Sequence, residues 1–361
     1  MQLVRLGSTG IVAARNGFGC LPIQRDSREG AVALLRRARA AGFNFFDTAR
    51  AYTDSEEKTG EALCGAGAAL EAAGVAGPDS SVAMGRAGIF IATKTAAENA
   101  EDFWRDLETS LRLLKTDYID IYQFHNPAFC PKPGDGSGLY EAALEAKKQG
   151  RIRHIGITNH RLGVAREAIE SGLYETLQFP FSYLASDKDI ELVQACRAHN
   201  MGFIAMKSLS GGLIRNAAAA YAFAAQFDNV LPIWGIQREA ELDEFIALQK
   251  NPPELNAELK AVIDRDRAEL SGSFCRGCGY CMPCPQGIEI NNCARMSLML
   301  RRAPSASWLD KEWQDKMAKI PTCLHCNKCK SKCPYGLDTP ELLAANYADY
   351  VEVLAGRRSV Q

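Results

Sequence analysis

The sequence predicts an α/β chain: a (β/α)8 barrel over residues 1–250, then a small cysteine-rich domain over residues 273–361. Three observations predict it. Eight short apolar runs alternate with amphipathic stretches through the first part of the chain. Two short strand-like segments around a glycine-flanked turn precede the first of those runs. Eight cysteines crowd into two tight motifs near the C-terminus. Alternating βα units imply a parallel sheet with covering helices. Eight such units in this length match a closed barrel.

The elements follow in order. Leu3–Leu6, the turn Gly7–Gly10 and Ile11–Ala14 read as a hairpin closing the barrel floor. The strands are Gly17–Cys20, Phe43–Phe46, Ile89–Thr93, Ile119–Phe124, His154–Thr158, Thr176–Phe179, Phe203–Met206 and Val230–Ile233. Helical patterns include Glu29–Ala41, Ala97–Lys115, Gly138–Gln149, Lys188–Asn200 and Glu239–Leu248. The stretch Ala66–Gly88 is rich in Ala and Gly, holds Pro78, and reads as a helix end and a loop. Ala217–Phe227 is too short to span a bilayer and reads as a packed helix. Around Asn251-Pro252-Pro253 the alternation stops. A charged helix, Glu254–Leu270, ends at Ser271-Gly272, so residues 251–272 read as the linker. A doubly wound sheet is the alternative, but no Gly-rich fingerprint follows the first strand.

Composition narrows the class. The 361 residues carry a net charge of −1 and are 47% hydrophobic, as in a globular protein. That balance gives no global reason to expect nucleic acid or an anionic membrane. The start, MQLVRLGSTG, lacks a basic head followed by an apolar core. A cytoplasmic protein is the expectation. In that setting, clustered thiolates favour metal over disulfides.

The first motif is Cys275-Arg-Gly-Cys278-Gly-Tyr-Cys281-Met-Pro-Cys284-Pro285. The second is Cys323-Leu-His-Cys326-Asn-Lys-Cys329-Lys-Ser-Lys-Cys333-Pro334. Cysteines separated by two residues wrap a loop round one face of an iron–sulfur cube. Structural zinc is the alternative, since four thiolates also suit it, but zinc sites usually draw on two separated CxxC hooks. The region resembles bacterial dicluster ferredoxins. The resemblance implies two [4Fe–4S] clusters. Cys275, Cys278, Cys281 and Cys333 would hold one, and Cys323, Cys326, Cys329 and Cys284 the other. The first motif departs from the family spacing, with two residues rather than three between Cys281 and Cys284. The other five cysteines, Cys20, Cys64, Cys130, Cys196 and Cys293, read as small buried hydrophobes.

Ionisable residues stand where barrel strands end. Asp47, Lys94 and His125 close three successive strands, and Tyr52 lies five residues past Asp47. Strand C-termini of a barrel share the face that carries chemistry. Each residue alone would read as a solvated charge or a cap; together they point to a site.

Here the chain resembles the aldo-keto reductases. Phe46-Asp47-Thr48-Ala49-Arg50-Ala51-Tyr52, Ala92-Thr93-Lys94 and Phe124-His125-Asn126 resemble the family's catalytic segments. The resemblance implies carbonyl–alcohol interconversion with NADP or NAD on a small polar or sugar-like substrate. Tyr52 would be the proton donor, and a Lys94 ammonium held by Asp47 would lower its pKa. His125 would orient the substrate oxygen or share the proton. Thr158, Asn159, Gln178, Met206, Lys207, Ser208 and Leu209 would contact the cofactor. Met206 stands where the family commonly stacks a Tyr on the nicotinamide. After the last strand only Arg238 offers a base for a 2′-phosphate, and Glu241 replaces a usual Arg.

The rival from another class is an electron-transfer adaptor whose barrel is a binding module. Hydride transfer moves two electrons together, whereas a [4Fe–4S] cluster exchanges one. No flavin motif bridges the two. The charge pattern reads either as a solvated surface or as a docking face for an acidic redox protein. Eight Lys or Arg lie between Arg301 and Cys333, opposed only by Asp310, Glu312 and Asp315. Lys328, Lys330 and Lys332 stand within the second motif.

Overall fold

The computed structural model describes residues 2–64, 86, 88–270, 274–302 and 305–360. Of the stretch predicted at Ala66–Gly88, all but Arg86 and Gly88 lies outside the described residues, as does the Ser271-Gly272 end of the linker. The chain forms two compact units. The first comprises Met1–Ser208 and Ala217–Leu259; the second comprises Leu209–Asn216 and Lys260–Gln361.

The first unit is a closed barrel. Its strands are β3 (Gly17–Gly19), β4 (Phe45–Asp47), β5 (Phe90–Thr95), β6 (Ile119–His125), β7 (Ile152–Thr158), β8 (Thr176–Pro180), β9 (Gly202–Met206) and β10 (Val230–Gly235). They follow one another round the ring, all parallel, and β10 returns to pair with β3. Helices alternate with them, as the sequence pattern requires. The helix α1 (Arg28–Ala40) buries Ala31, Leu34, Leu35 and Ala38 and is capped by Ser27, whose side chain accepts from the Gly30 amide.

The hairpin of β1 (Leu3–Arg5) and β2 (Val12–Ala14) is antiparallel. Its Val4, Leu6, Ile11 and Ala13 share one buried cluster with Phe45, Ala92, Ile121, Ile204, Leu231 and Ile233 of the strands. Gly7 bridges to Met201, just before β9, which fixes the hairpin to the end where strands begin. A Cβ on Gly7 would lie 2.4 Å from the Asn200 carbonyl oxygen, and its φ of +51° is one that glycine tolerates best. Arg15 ties the early chain to the last strand. Its guanidinium donates to the carbonyls of Ala224 (3.3 Å), Phe227 (2.8 Å) and Val230 (3.4 Å).

Helix α2 (Ser55–Leu63) carries no apolar stripe, yet Ser55, Glu56, Lys58 and Thr59 are all buried. It packs tightly on α3 (Ala100–Leu114), with Gly60 at the closest point. A Cβ there would sit 2.3 Å from the Leu113 carbonyl oxygen.

In the second unit a long helix, Thr339–Leu354, organises the rest. Its Asp349 takes Arg301 (2.6 and 2.8 Å) and Arg358 (2.6 Å). Its Asn346 accepts from the Ser297 amide (2.8 Å) and donates to the Ala294 carbonyl (3.2 Å). The Tyr350 hydroxyl donates to the Trp308 carbonyl at 2.8 Å. Among the described residues no helix is long and apolar enough to cross a membrane.

The close approach at Gly60 generates a test. Gly60→Ala should destabilise the barrel by about 1–3 kcal/mol, the usual cost of overpacking. A lowered urea midpoint at unchanged slope is the expected signature; an unshifted midpoint would mean that α2 and α3 do not approach so closely.

Candidate active site and candidate iron–sulfur sites

Asp47 is the last residue of β4, His125 the last of β6, and Lys94 the penultimate residue of β5. Parallel register sets Asp47 beside Ala92 and Lys94 beside Gln123. Alternation along β6 turns Gln123 and His125 to the same side. The Lys94 ammonium donates to Asp47 Oδ2 at 2.7 Å and to the Thr48 carbonyl at 2.6 Å, with Lys94 only 1% exposed. Two amides complete the carboxylate's shell. Gln123 Nε2 lies 3.4 Å from Asp47 Oδ1, Gln178 Nε2 lies 3.3 Å from Oδ2, and Gln123 donates to Gln178 at 2.8 Å.

Tyr52 sits on the loop between β4 and α2. Its ring meets the His125 ring edge-on, centroids 5.8 Å apart, and the Lys94 ammonium lies 5.1 Å from its centroid. The structure thus brings Asp47, Tyr52, Lys94 and His125 to one place. The loop is held from both sides. The Thr48 and Ser55 hydroxyls bond at 2.8 Å, Ser55 donates to the Cys20 carbonyl at 2.9 Å, and the Arg50 amide donates to the Lys94 carbonyl at 3.0 Å. Glu56, fully buried, accepts from the Thr93 and Ser110 hydroxyls, both at 2.7 Å, and pairs with Arg50. Sequence reasoning missed Gln123 and Glu56. Gln123 had a signal, two residues before His125 on a strand. Glu56 had none, because a buried carboxylate on a polar helix looks like a surface one.

The electrostatics differ from the expectation in one respect. The resemblance implied a Tyr52 phenol made more acidic by Lys94. Instead burial, aided by the charges of Asp47 and Cys20, pushes the Tyr52 phenol well above its ordinary value. The reason is that taking the hydroxyl out of water disfavours the phenolate, and the Asp47 carboxylate adds to that. Burial also pushes Asp47 up, opposed by Lys94. Burial, then Lys94, pulls His125 down to about 3, leaving the imidazole neutral.

The expected cofactor residues divide. Thr158, Asn159, Gln178 and Ser208 are buried, and the Thr158 hydroxyl is 4.0 Å from the Met206 sulfur. The Asn159 amide donates to the Pro127 carbonyl at 2.9 Å and accepts from the amides of His160 and Arg161. The Ser208 hydroxyl donates to the Ala205 carbonyl at 3.1 Å. Lys207 holds a left-handed φ of 56°, and Leu209 groups with the second unit. Amide donors and acceptors at strand ends suit a nicotinamide carboxamide, and Gln123 Oε1 is a buried acceptor with no partner among the described residues. The end of β10 does not suit a 2′-phosphate. Glu241 Oε2 accepts from the amides of Gln237 (2.8 Å) and Arg238 (3.0 Å), and Oε1 takes the Arg238 guanidinium (2.6 and 2.9 Å).

In the second unit, Cys275, Cys278, Cys281 and Cys333 line one hollow. Cys281, Cys284, Cys323, Cys326 and Cys329 line another. Four thiols lining one hollow is the number that a four-iron cube takes, one per iron. The Gly277 amide donates to Cys275 at 3.4 Å. Of the five cysteines outside the motifs, Cys20, Cys130, Cys196 and Cys293 are buried, whereas Cys64 is only half-buried.

The half-buried, neutral imidazole carries a pH consequence. Its folded pKa lies below the ordinary 6.5, so protonation favours the unfolded chain. The stability it gives is complete above about pH 6.5 and is lost as pH falls toward about 3. His125→Gln should flatten the slope of unfolding free energy between about pH 6 and 4 by about 1.4 kcal/mol per pH unit. Identical slopes in parent and variant would place His125 in water.

Comparison with known proteins identifies the family and the fold. The family model for the aldo/keto reductase family matches residues 16–228, and that for a 4Fe-4S dicluster domain matches residues 274–338. Methylglyoxal reductase DkgB of Salmonella typhimurium is 30% identical over 217 residues, 57% of this chain and 72% of that protein. L-galactose dehydrogenase of Arabidopsis thaliana is 26% identical over 230 residues, 59% of this chain and 67% of that protein. The holo form of an aldo-keto reductase from Bacillus halodurans shares the fold, with a TM-score of 0.60 at 20% identity, over 74% of this chain and 96% of that one. The chain is an oxidoreductase that belongs to the aldo/keto reductase family, with a 4Fe-4S dicluster domain behind the barrel.

Proposed function

We propose that the barrel reduces a small polar carbonyl with a nicotinamide dinucleotide, and that the tail carries two [4Fe–4S] clusters. The observation that carries the first part is the convergence of Tyr52, His125 and the Lys94–Asp47 pair at adjoining strand ends. The bound nicotinamide supplies the hydride. The chain's residues supply the proton and the field. Burial keeps the Tyr52 phenol protonated until the substrate oxygen gains charge, and the phenol then donates. The Lys94 ammonium, 5.1 Å from the ring, stabilises the phenolate left behind. Neutral His125, edge-on to Tyr52, offers a hydrogen bond to orient the substrate oxygen without adding charge.

The Glu241 carboxylate favours NADH over NADPH, because it neutralises Arg238 and takes the amides that an added phosphate would need. The name of the Salmonella relative makes methylglyoxal a reasonable first substrate to assay. The second part is supported by the division of the motif cysteines between two hollows.

Tyr52→Phe should lower carbonyl turnover by roughly two to four orders of magnitude and leave dinucleotide affinity nearly intact. Full turnover in the variant would remove Tyr52 as the acid. Failure of the parent to quench or shift NADH and NADPH fluorescence would instead favour the adaptor reading. Anaerobically purified protein should be brown and hold about eight irons per chain. Stoichiometric zinc without acid-labile sulfide would overturn the cluster assignment.

A further inference from the structure

We propose that the surface around the second cysteine motif docks an acidic, one-electron carrier protein. The proposal rests on the reading that the tail holds iron–sulfur clusters. Leu324 lies between Cys323 and Cys326 and is 62% exposed, more than any other large hydrophobic among the described residues. Cys326 is itself exposed. His325 and Asn327 flank it in left-handed conformations, with φ of 49° and 58°. An apolar tip and a ligand thiol therefore face water together.

Charge surrounds that tip, but less of it than a count along the chain gives. Arg301 pairs with Asp349, Lys311 with Asp315, and Lys316 with both Glu289 (3.1 Å) and Glu312 (2.8 Å). Lys330 pairs with Asp338, which takes it out of the set that the motif alone singles out. Glu341 lies near enough to act on Lys330 as well. Lys319, Lys328 and Lys332 are exposed and make no ion pair among the described residues. Lys328 and Lys332 are four residues apart across a helical turn and share a face. Lys328 lines the same hollow as Cys323, Cys326 and Leu324. The Lys319 ammonium is 3.9 Å from where a Cβ on Gly287 would lie, and the neighbours Gln286 and Ile288 line that hollow too.

Three unpaired cations around one exposed leucine select an acidic partner by charge complementarity. Such charges speed encounter and fix orientation, and a small apolar contact lets the complex part again. The step itself balances simply. One electron leaves the carrier's reduced centre and one tail cluster gains it; no bond forms or breaks.

The probe is an acidic [2Fe–2S] ferredoxin, and the variant carries Lys319→Glu, Lys328→Glu and Lys332→Glu together. Iron and sulfide are assayed first in the intact chain, so that absence of clusters, which would sink the prior reading, is seen separately. In loaded protein the variant should bind oxidised ferredoxin at least about tenfold more weakly at low salt. The difference should vanish near 1 M salt, where the Debye length is about 3 Å. Reduction by reduced ferredoxin should slow in parallel, while reduction by the methyl viologen radical cation should not slow. Equal binding of parent and variant at low salt would overturn the docking face, and so would slowing with both reductants. Should the triple variant lose iron, Lys328→Gln with Lys332→Gln should weaken binding several-fold in the same direction.

Discussion

Lys94 and Asp47 face each other at 2.7 Å with almost no water near either. Taking two charges out of water is expensive, and their attraction offsets it only when every remaining lone pair and proton is met. The mouth of the barrel is arranged to meet them. Thr48 gives a carbonyl to Lys94; Gln123 and Gln178 give amides to Asp47. Those three partners come from the loop after β4, from β6 and from β8, so a single ion pair specifies how the strand ends lie. Tyr52 and His125 are then placed against that pair. Burial there leaves the phenol protonated and the imidazole neutral.

The sequence made the barrel legible because its covering helices and strands have different periods, and both periods are strong. The strand ends at Asp47, Lys94 and His125 were legible for the same reason, since a charged residue breaking an apolar run is conspicuous. What escaped was polar burial. Glu56 sits on a helix with no apolar stripe, and its partners Thr93, Ser110 and Arg50 are far apart in the chain. Gln123 reads as one polar residue inside a strand until Gln178 and Asp47 are seen beside it. The direction of the Tyr52 shift was hidden for another reason: a sequence names Lys94 as a cation but does not show how far the Tyr52 hydroxyl is taken out of water. Nor does it show the pairing of Lys330, whose partner Asp338 lies eight residues on.

The chemistry of the two units differs in how it counts electrons. A hydride carries two at once, while an iron–sulfur cube passes one. Nothing in the proposed docking surface requires the proposed proton donor of the barrel, and nothing in the Tyr52 cluster requires a cube. Asp349 and Asn346 tie the tail to itself, as Gln123 and Glu56 tie the barrel to itself.

Arg15 reaches carbonyls more than two hundred residues further along, and β3 hydrogen-bonds to β10 beside it. On the ribosome these partners do not exist at the same time. At about 5–20 residues per second, β3 must wait on the order of ten to forty seconds for β10 to be made. During that interval the nascent sheet has an open edge at β3 and another at whichever strand was made last. Open edges invite pairing with other chains. The N-terminal hairpin, which meets strands from β4 to β10, likewise finds its full seat only when the last strand emerges. Closure of the ring is therefore a late and long-range event.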